Sequence, residues 1–374
     1  MIIPAWPVSY NMTTRHSKAA TRMTTPTANR LTPFLFLAVL LAVACGNEAR
    51  TATEPTVVHG STFGTFYQIT LSGDWSEPEL GELQAGVEEV LEDVDRTMST
   101  YRDDSELNRL SGTPTGEWVT VSGPLYQVLS ISQEVARATD GAFDITVGGV
   151  VRRWGFGPDQ RPERTPSAKD LEDALDAVGH AGLELDPEQR MARRTADFEL
   201  DVSATAKGYG IDAVAGFLDD QGVGRYLVNI GGDMRAGERP SSERAWRVGI
   251  QQPDDRQPTP MTIVPLEHMA ITTSGDYRNY YEEDGQRYSH LIDPRTGRPV
   301  DHRLASVTVL HPLAARADAF ATGLMILGPD DAMAVAEEQK LKVLLIVRGD
   351  DGFRTRTSPA LRAYLDRQGG DRPE

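Results

Sequence analysis

The chain has 374 residues, 39% hydrophobic and 25% charged, with a formal net charge of −17. That balance suits a globular protein of one large domain or two ordinary ones. It excludes a nucleic-acid reader, which needs basic patches for phosphates, and the single cysteine excludes an internal disulfide.

In chain order, the first signal is Phe34–Ala44 ("FLFLAVLLAVA"), uninterrupted apolar sequence after Arg30. A membrane span needs about 18 such residues. A signal-peptide core needs about 7–15. The run ends "LAVAC", with the sole cysteine, Cys45, placed as in a lipobox, although Ala42 stands where Leu is usual. Residues 1–45 are therefore expected to be a signal region with Cys45 lipidated. The product would be an exported, membrane-anchored lipoprotein facing the periplasm or the cell exterior. The plainer alternative is an ordinary signal peptide. A start at Met23 gives a normal leader, leaving Met1–Arg22 as surplus. Residues 46–56 have tether composition, 57–365 are expected to form one domain, and 366–374 a polar tail.

Val57–Leu71 alternates like a strand broken by Gly. Glu77–Met98 carries apolar residues at helical spacing. Gly123–Thr139, Ser167–Val178 (Ser167 as N-cap) and Ala206–Gln221 read as further helices. Tyr226–Ile230 is a buried strand stopped by Gly231-Gly232. Trp246–Gln251, Met269–Thr273, Ala305–Leu310 and Leu341–Val347 are strands, and Ala314–Leu327 a buried helix. Gly157–Pro166 and Asp254–Pro260 are loops. The mixture lacks regular βαβ alternation, so the fold class is α+β. The segment after Pro359 has no assignable role.

Four stretches carry possible chemistry. The apolar helix "RADAFATGLMIL" holds Asp318 and Thr322 four residues apart, hence on one face. Burying an unpaired carboxylate is costly. A hard cation such as Mg²⁺ would compensate it; a simple helix cap is the alternative. "DVSATAKGY" (Asp201–Tyr209) leads into a helix with Lys207 near its start, an arrangement that suits anions, although a capped helix with a surface Lys fits equally. "GAFDITVGGVVRRWGFG" (Gly141–Gly157) combines glycines with Trp154 and Phe156, and would suit a flat ring with a phosphate tail; two core aromatics are the alternative. Thr272–Pro299 gathers Ser274, Asp276, Tyr277, Arg278, His290, Asp293 and Arg295 around turn residues that predict a hairpin bringing Asp276 near His290.

Together these segments resemble the FAD:protein FMN transferase (ApbE) family. "FGTFYQITL", "MSTYRDDSELNRLS", "GAFDITVGGVVRRWGFGP", "DVSATAKGYGID", "YLVNIGGDM", "TSGDYRNYYEEDGQRYSHLIDPRTGRPV" and "ADAFATGLMILG" occur in the family's order. The resemblance implies a single ApbE-like, T-fold-related domain with a flavin cleft. It implies FAD as substrate, Mg²⁺ as cofactor, and transfer of FMN to a Thr or Ser hydroxyl of a partner protein with release of AMP. Asp318, Thr322 and the backbone carbonyl of Ala204 would hold the metal. Phe63, Tyr101, Ala142, Phe143, Asp144, Asp201, Lys207 and Ile292 would contact the flavin nucleotide. Phe63 departs from the family's usual Met, and Ser203 and Ala204 keep small residues in a motif that otherwise varies. His290 and Asp276 are the candidate proton acceptors, His290 favoured by its titration range. Lys207, and Arg278 or Arg295, could hold phosphate charge, a hairpin salt bridge being equally open for the arginines. Expected acceptors are subunits of NADH:quinone reductases or Rnf-type complexes, met at the membrane through the lipid anchor. Two alternatives share these residues in whole or part: a metal-dependent FAD pyrophosphatase and a non-catalytic flavin-binding lipoprotein.

Overall fold

A computed structural model describes residues 55–157, 165–242, 244–253, 260–277, 279–283 and 285–370. The signal region, Cys45, Arg278 and most of the two expected loops lie outside the described residues.

Eight strands form the central sheet: β1 (Thr56–Thr62), β2 (Thr65–Leu71), β3 (Tyr226–Ile230), β4 (Asp233–Ala236), β5 (Met269–Gly275), β6 (Leu304–His311), β7 (Lys342–Gly349) and β8 (Gly352–Thr357). Each pairs antiparallel with the next, so spatial order equals chain order. The expected strand Val57–Leu71 is thus a hairpin. Its break is not Gly60, inside β1, but the two-residue turn Phe63-Gly64, with φ +50° and +70°. Gly231-Gly232, with φ +58° and +98°, makes a second such turn between β3 and β4. Positive φ at both turn positions matches the right-handed twist of the strands. The two turns are neighbours, because Gly231 N–H donates to the Phe66 carbonyl at 3.0 Å.

Six main helices are α1 (Glu77–Met98), α2 (Gly123–Ala138), α3 (Ser203–Asp220), α4 (Ala314–Leu327), α5 (Pro329–Glu338) and α6 (Pro359–Gln368). Strand alternation sends Tyr67, Ile69, Val228, Ile230, Val307, Val309, Val343 and Leu345 to one face, under α1 to α5. Leu227, Ile271, Leu310, Leu344 and Ile346 go to the other, under the hairpin Trp246–Gln251/Pro260–Leu266 and α6. The segment after Pro359 is therefore structural: Leu361, Tyr364 and Leu365 are buried, and the helix continues past residue 365. The expected helix at Ser167 spans Ala168–Leu175 and has its Ser167 cap: the hydroxyl accepts from Asp170 N–H, and Ser167 N–H donates in return to the Asp170 carboxylate.

α4 is buried around its circumference, as its composition requires. Its first amides have no local cap. Asp212 of α3 supplies one: its carboxylate accepts from Ala314 N–H at 2.9 Å and Ala315 N–H at 3.0 Å, and pairs with Arg235 at 2.5 Å. The helices approach closely because residue 208 is glycine. A Cβ there would stand 2.4 Å from the Ala314 carbonyl oxygen.

Candidate active site

Both turns, the far end of β5 and the first turns of α3 and α4 meet at one end of the sheet. Asp318, on α4, is 4% exposed. Burial pushes its carboxyl above the ordinary carboxylate range, opposed by the Lys207 ammonium and the Gly208 amide. Gly208 N–H donates to Asp318 Oδ2 at 2.9 Å, and Lys207 Nζ lies 3.4 Å from Oδ1. Helix geometry assigns the Gly208 amide to the carbonyl of Ala204, four residues back. That carbonyl, like any other, has two lone pairs, so it keeps capacity for a further partner. Thr322 Oγ1, one turn beyond Asp318, shares a 3.1 Å hydrogen bond with Ser274 Oγ on β5.

Two polar residues complete this group. Lys207 Nζ also pairs directly with Asp233, the first residue of β4, 2% exposed. Asp233 Oδ1 in turn accepts from Thr273 N–H at 2.9 Å. Sequence reading did not single out Asp233; the signal was an acid directly after a Gly-Gly turn, ahead of a strand. Within Thr272–Pro299 nothing local sets Ser274 apart from its polar neighbours.

Beside this group opens a cleft of about 840 Å³, lined by Phe63, Met98, Tyr101, Ser203, Ala206 and Lys207 among others. The expected flavin contacts Phe63, Tyr101 and Lys207 thus line one cavity. Tyr101 is 69% exposed, its ring face free for stacking. Phe63 is half-buried, its ring lying over Gly210, where a Cβ would come within 2.7 Å. Asp201 accepts from Ser203 N–H at 2.8 Å, closing the entry to α3.

The other expected contacts are occupied by structure. Ala142 and Phe143 are core residues behind α4, Phe143 packing where Gly323 leaves room. Asp144 accepts from the amide and hydroxyl of Thr146, both at 2.8 Å, and burial raises its pKa. The Ile292 side chain is buried with Val150, Trp154 and Leu171. The suggestion that Trp154 and Phe156 offer open planes to a ring is corrected. Trp154 is buried, donates Nε1–H to the Gly297 carbonyl at 2.7 Å and packs on Tyr288, while Phe156 packs on Tyr281.

Those two tyrosines belong to the expected hairpin, Tyr280–Glu283/Gln286–Ser289, which delivers His290. His290 Nδ1 lies 2.9 Å from the Asn279 carbonyl. A carbonyl only accepts, so Nδ1 carries the hydrogen and the neutral ring keeps its lone pair at Nε2. Burial lowers the His290 pKa, with the Asn279 carbonyl and Asp276 opposing. Asp276 is thus close enough to act on His290. It is poorly placed as a proton acceptor, however, since Arg348 grips both its oxygens at 2.6 and 2.8 Å. Arg295 forms the hairpin salt bridge, two contacts of 2.8 and 2.9 Å to Asp293. Among the described residues no hydrogen bond joins His290 to the Asp318 group; both sit at the β5 end of the sheet.

The ApbE family model matches residues 63–345.

The chain belongs to the ApbE family.

A FAD:protein FMN transferase of Klebsiella pneumoniae is 40% identical over 321 residues, covering 85% of this chain and 91% of the relative. Among solved structures, the flavin transferase ApbE of Vibrio cholerae superposes with a TM-score of 0.77 at 38% identity, covering 83% of this chain and 99% of that one. The Pseudomonas stutzeri flavinyl transferase ApbE, in apo form, gives 0.74 at 35% identity, covering 83% and 96%. The α+β class and the single ApbE-like domain inferred from sequence agree with these likenesses. Phe63, Tyr101 and Lys207 of the cleft, and Asp233, Asp318 and Thr322 beside it, all lie within the span matched to the ApbE model.

Proposed function

We propose that this chain is a divalent-cation-dependent FAD:protein FMN transferase. It moves FMN from FAD to a Thr or Ser hydroxyl of a partner protein and releases AMP. The observation that carries the reading is the buried Asp318 carboxylate, one turn from Thr322 and 3.4 Å from Lys207, which itself lines a cleft of about 840 Å³.

The residues fit a hard cation. Asp318 offers a carboxylate that burial disfavours without a positive partner, Thr322 a hydroxyl one turn away, and Ala204 a carbonyl with a second lone pair in the first turn of α3. Mg²⁺ held there supplies charge neutralisation to the pyrophosphate oxygens. Lys207 adds a point charge at the cleft wall, while Phe63 and Tyr101 offer planes for the flat parts of FAD. The acceptor hydroxyl attacks the phosphorus on the FMN side, the bond to the bridging oxygen breaks, and AMP departs with that oxygen. His290 Nε2, neutral at pH 7, takes the hydroxyl proton. Asp276, tied to Arg348, is better suited to anchoring the hairpin that carries His290.

We also propose lipid attachment at Cys45 after export, supported by the apolar run Phe34–Ala44 and the "LAVAC" sequence. The acceptors would then be flavin-carrying domains at the membrane surface, such as subunits of NADH:quinone reductases or Rnf-type complexes.

The test is intact-mass analysis of an acceptor domain bearing a threonine target, incubated with the protein, FAD and Mg²⁺. A gain of one FMN unit that chelator abolishes supports the transferase. FMN and AMP free in solution, with several acceptors unmodified, point to a FAD pyrophosphatase. Bound FAD with no turnover points to a flavin carrier.

A further inference from the structure

Three charges meet at the head of α3: the carboxylates of Asp318 and Asp233 and the ammonium of Lys207 between them. They are not equivalent. Lys207 touches Asp233 directly and stands 3.4 Å from Asp318. Asp233 is fixed independently of Lys207. Its other oxygen holds Thr273 N–H, and it follows a turn pinned by a 2.9 Å bond from Gly232 N–H to Asn229 Oδ1. The Lys207 side chain is 31% exposed, so its ammonium can shift along the cleft wall while Asp233 cannot.

We infer that Asp233 is a positioning residue that retains the Lys207 ammonium in the cleft when a divalent cation takes Asp318. This rests on the cation site proposed above. A dication on Asp318 repels an ammonium at that distance, and without another partner Lys207 must either compete for Asp318 or leave the cleft. Asp233 is the carboxylate that resolves the conflict. It leaves Asp318 to the cation and keeps a charged lysine facing the phosphates. Two carboxylates around one lysine therefore form an exchange pair, in which only Asp318 changes partner.

The test measures Mn²⁺ binding to FAD-free protein by electron paramagnetic resonance, so it does not depend on turnover. Asp233→Asn keeps an oxygen for Thr273 N–H and removes the charge. Lys207 then falls wholly on Asp318, and Mn²⁺ affinity should drop about tenfold. Lys207→Met removes the competitor and leaves two carboxylates, so Mn²⁺ affinity should rise severalfold. The double variant should return close to the wild-type affinity. Weakening in both single variants would make Asp233 a merely structural residue and overturn the inference, as would an unchanged affinity in Asp233→Asn. Should Asp233→Asn fail to fold, Asp233→Glu and Asp233→Gln are compared: weaker Mn²⁺ binding in the Gln variant than in the Glu variant, which keeps the charge, supports the inference, and equal affinity overturns it. A wild-type protein that binds Mn²⁺ no better than Asp318→Asn would show instead that the cation site itself is wrong, and the inference would fall with it.

Discussion

Asp318 shows how a single residue can be a poor choice for folding, a carboxylate held 4% exposed inside an apolar helix. Its raised pKa means the folded state binds its proton more tightly than the unfolded state. Any stability from the protonated form is therefore present at acid pH and lost as pH rises. Without a cation, Asp318→Asn should melt at pH 7 no lower than wild type, and its melting temperature should not respond to Mg²⁺. Turnover should fall about a hundredfold or more. Differential scanning fluorimetry with and without Mg²⁺, beside a turnover assay, checks both halves. His290 has the opposite sign. Its lowered pKa makes the unfolded state the better proton binder just below the ordinary histidine value, so stability rises with pH through that window. The same shift keeps the ring neutral and able to accept a proton. The acid limb of the rate profile should lie below pH 6.5, the usual histidine value. It should vanish in His290→Ala, with turnover about 10² to 10⁴ lower. A pH profile of kcat for the two proteins decides this.

Between residue and fold stand the elements that hold these side chains in place. α4 carries Asp318 and Thr322, but α3 holds α4. Asp212 caps it from outside, and Gly208 lets the two helices touch. Asp212→Ala strands two amides and unpairs Arg235, and should cost about 3 kcal/mol or more in a denaturant titration. The turn at Phe63 makes a different compromise. A bulky residue at φ +50° is strained by about 1–2 kcal/mol, yet the strain sets a ring into the cleft, over Gly210. Phe63→Asn relieves the backbone and loses the half-buried ring. These terms oppose, so the melting temperature should move by less than about 4 °C, while the KM for FAD rises. Steady-state kinetics with a thermal melt separates the two effects. Much at this scale was legible in the sequence. The α1 periodicity, the Ser167 cap and the placing of Asp318 and Thr322 one turn apart on one helix followed from spacing alone. The Asp212 cap did not, because it joins helices far apart in the chain, and nothing local in "GYGID" says which amides it serves. Trp154 and Phe156 misled for the same reason: their partners, Tyr288 and Tyr281, lie on a distant hairpin.

At the scale of the whole molecule, the alternation that assigned strands also divided the core into two layers, one under the helices and one under a hairpin and α6. The second layer was hidden in the sequence. Only Leu361, Tyr364 and Leu365 mark the helical face that closes it, within an otherwise polar segment. Deleting Pro359–Glu374 should uncover Leu344 and Ile346 and leave the protein insoluble or without a cooperative melt. Expression and calorimetry of that truncation would reveal it. The α+β class could be read from the sequence because missing βαβ alternation argues against a parallel sheet. The order of the strands could not, since pairing between distant segments leaves no local mark.

That strand order has a consequence during synthesis. β1 and β2 leave the ribosome as neighbours, but β3, which covers the open edge of β2, follows only after the whole stretch from Leu71 to Tyr226 has been made. For that interval the nascent chain presents a hairpin with an unpaired edge. The Asp318 group cannot form within it either, because Lys207 is made before Tyr226 whereas Asp233 and Asp318 come after it. The end of the sheet that carries the Asp318 group is completed late, because Asp318 meets Lys207 and Gly208 only once α4 has been made and packed on α3.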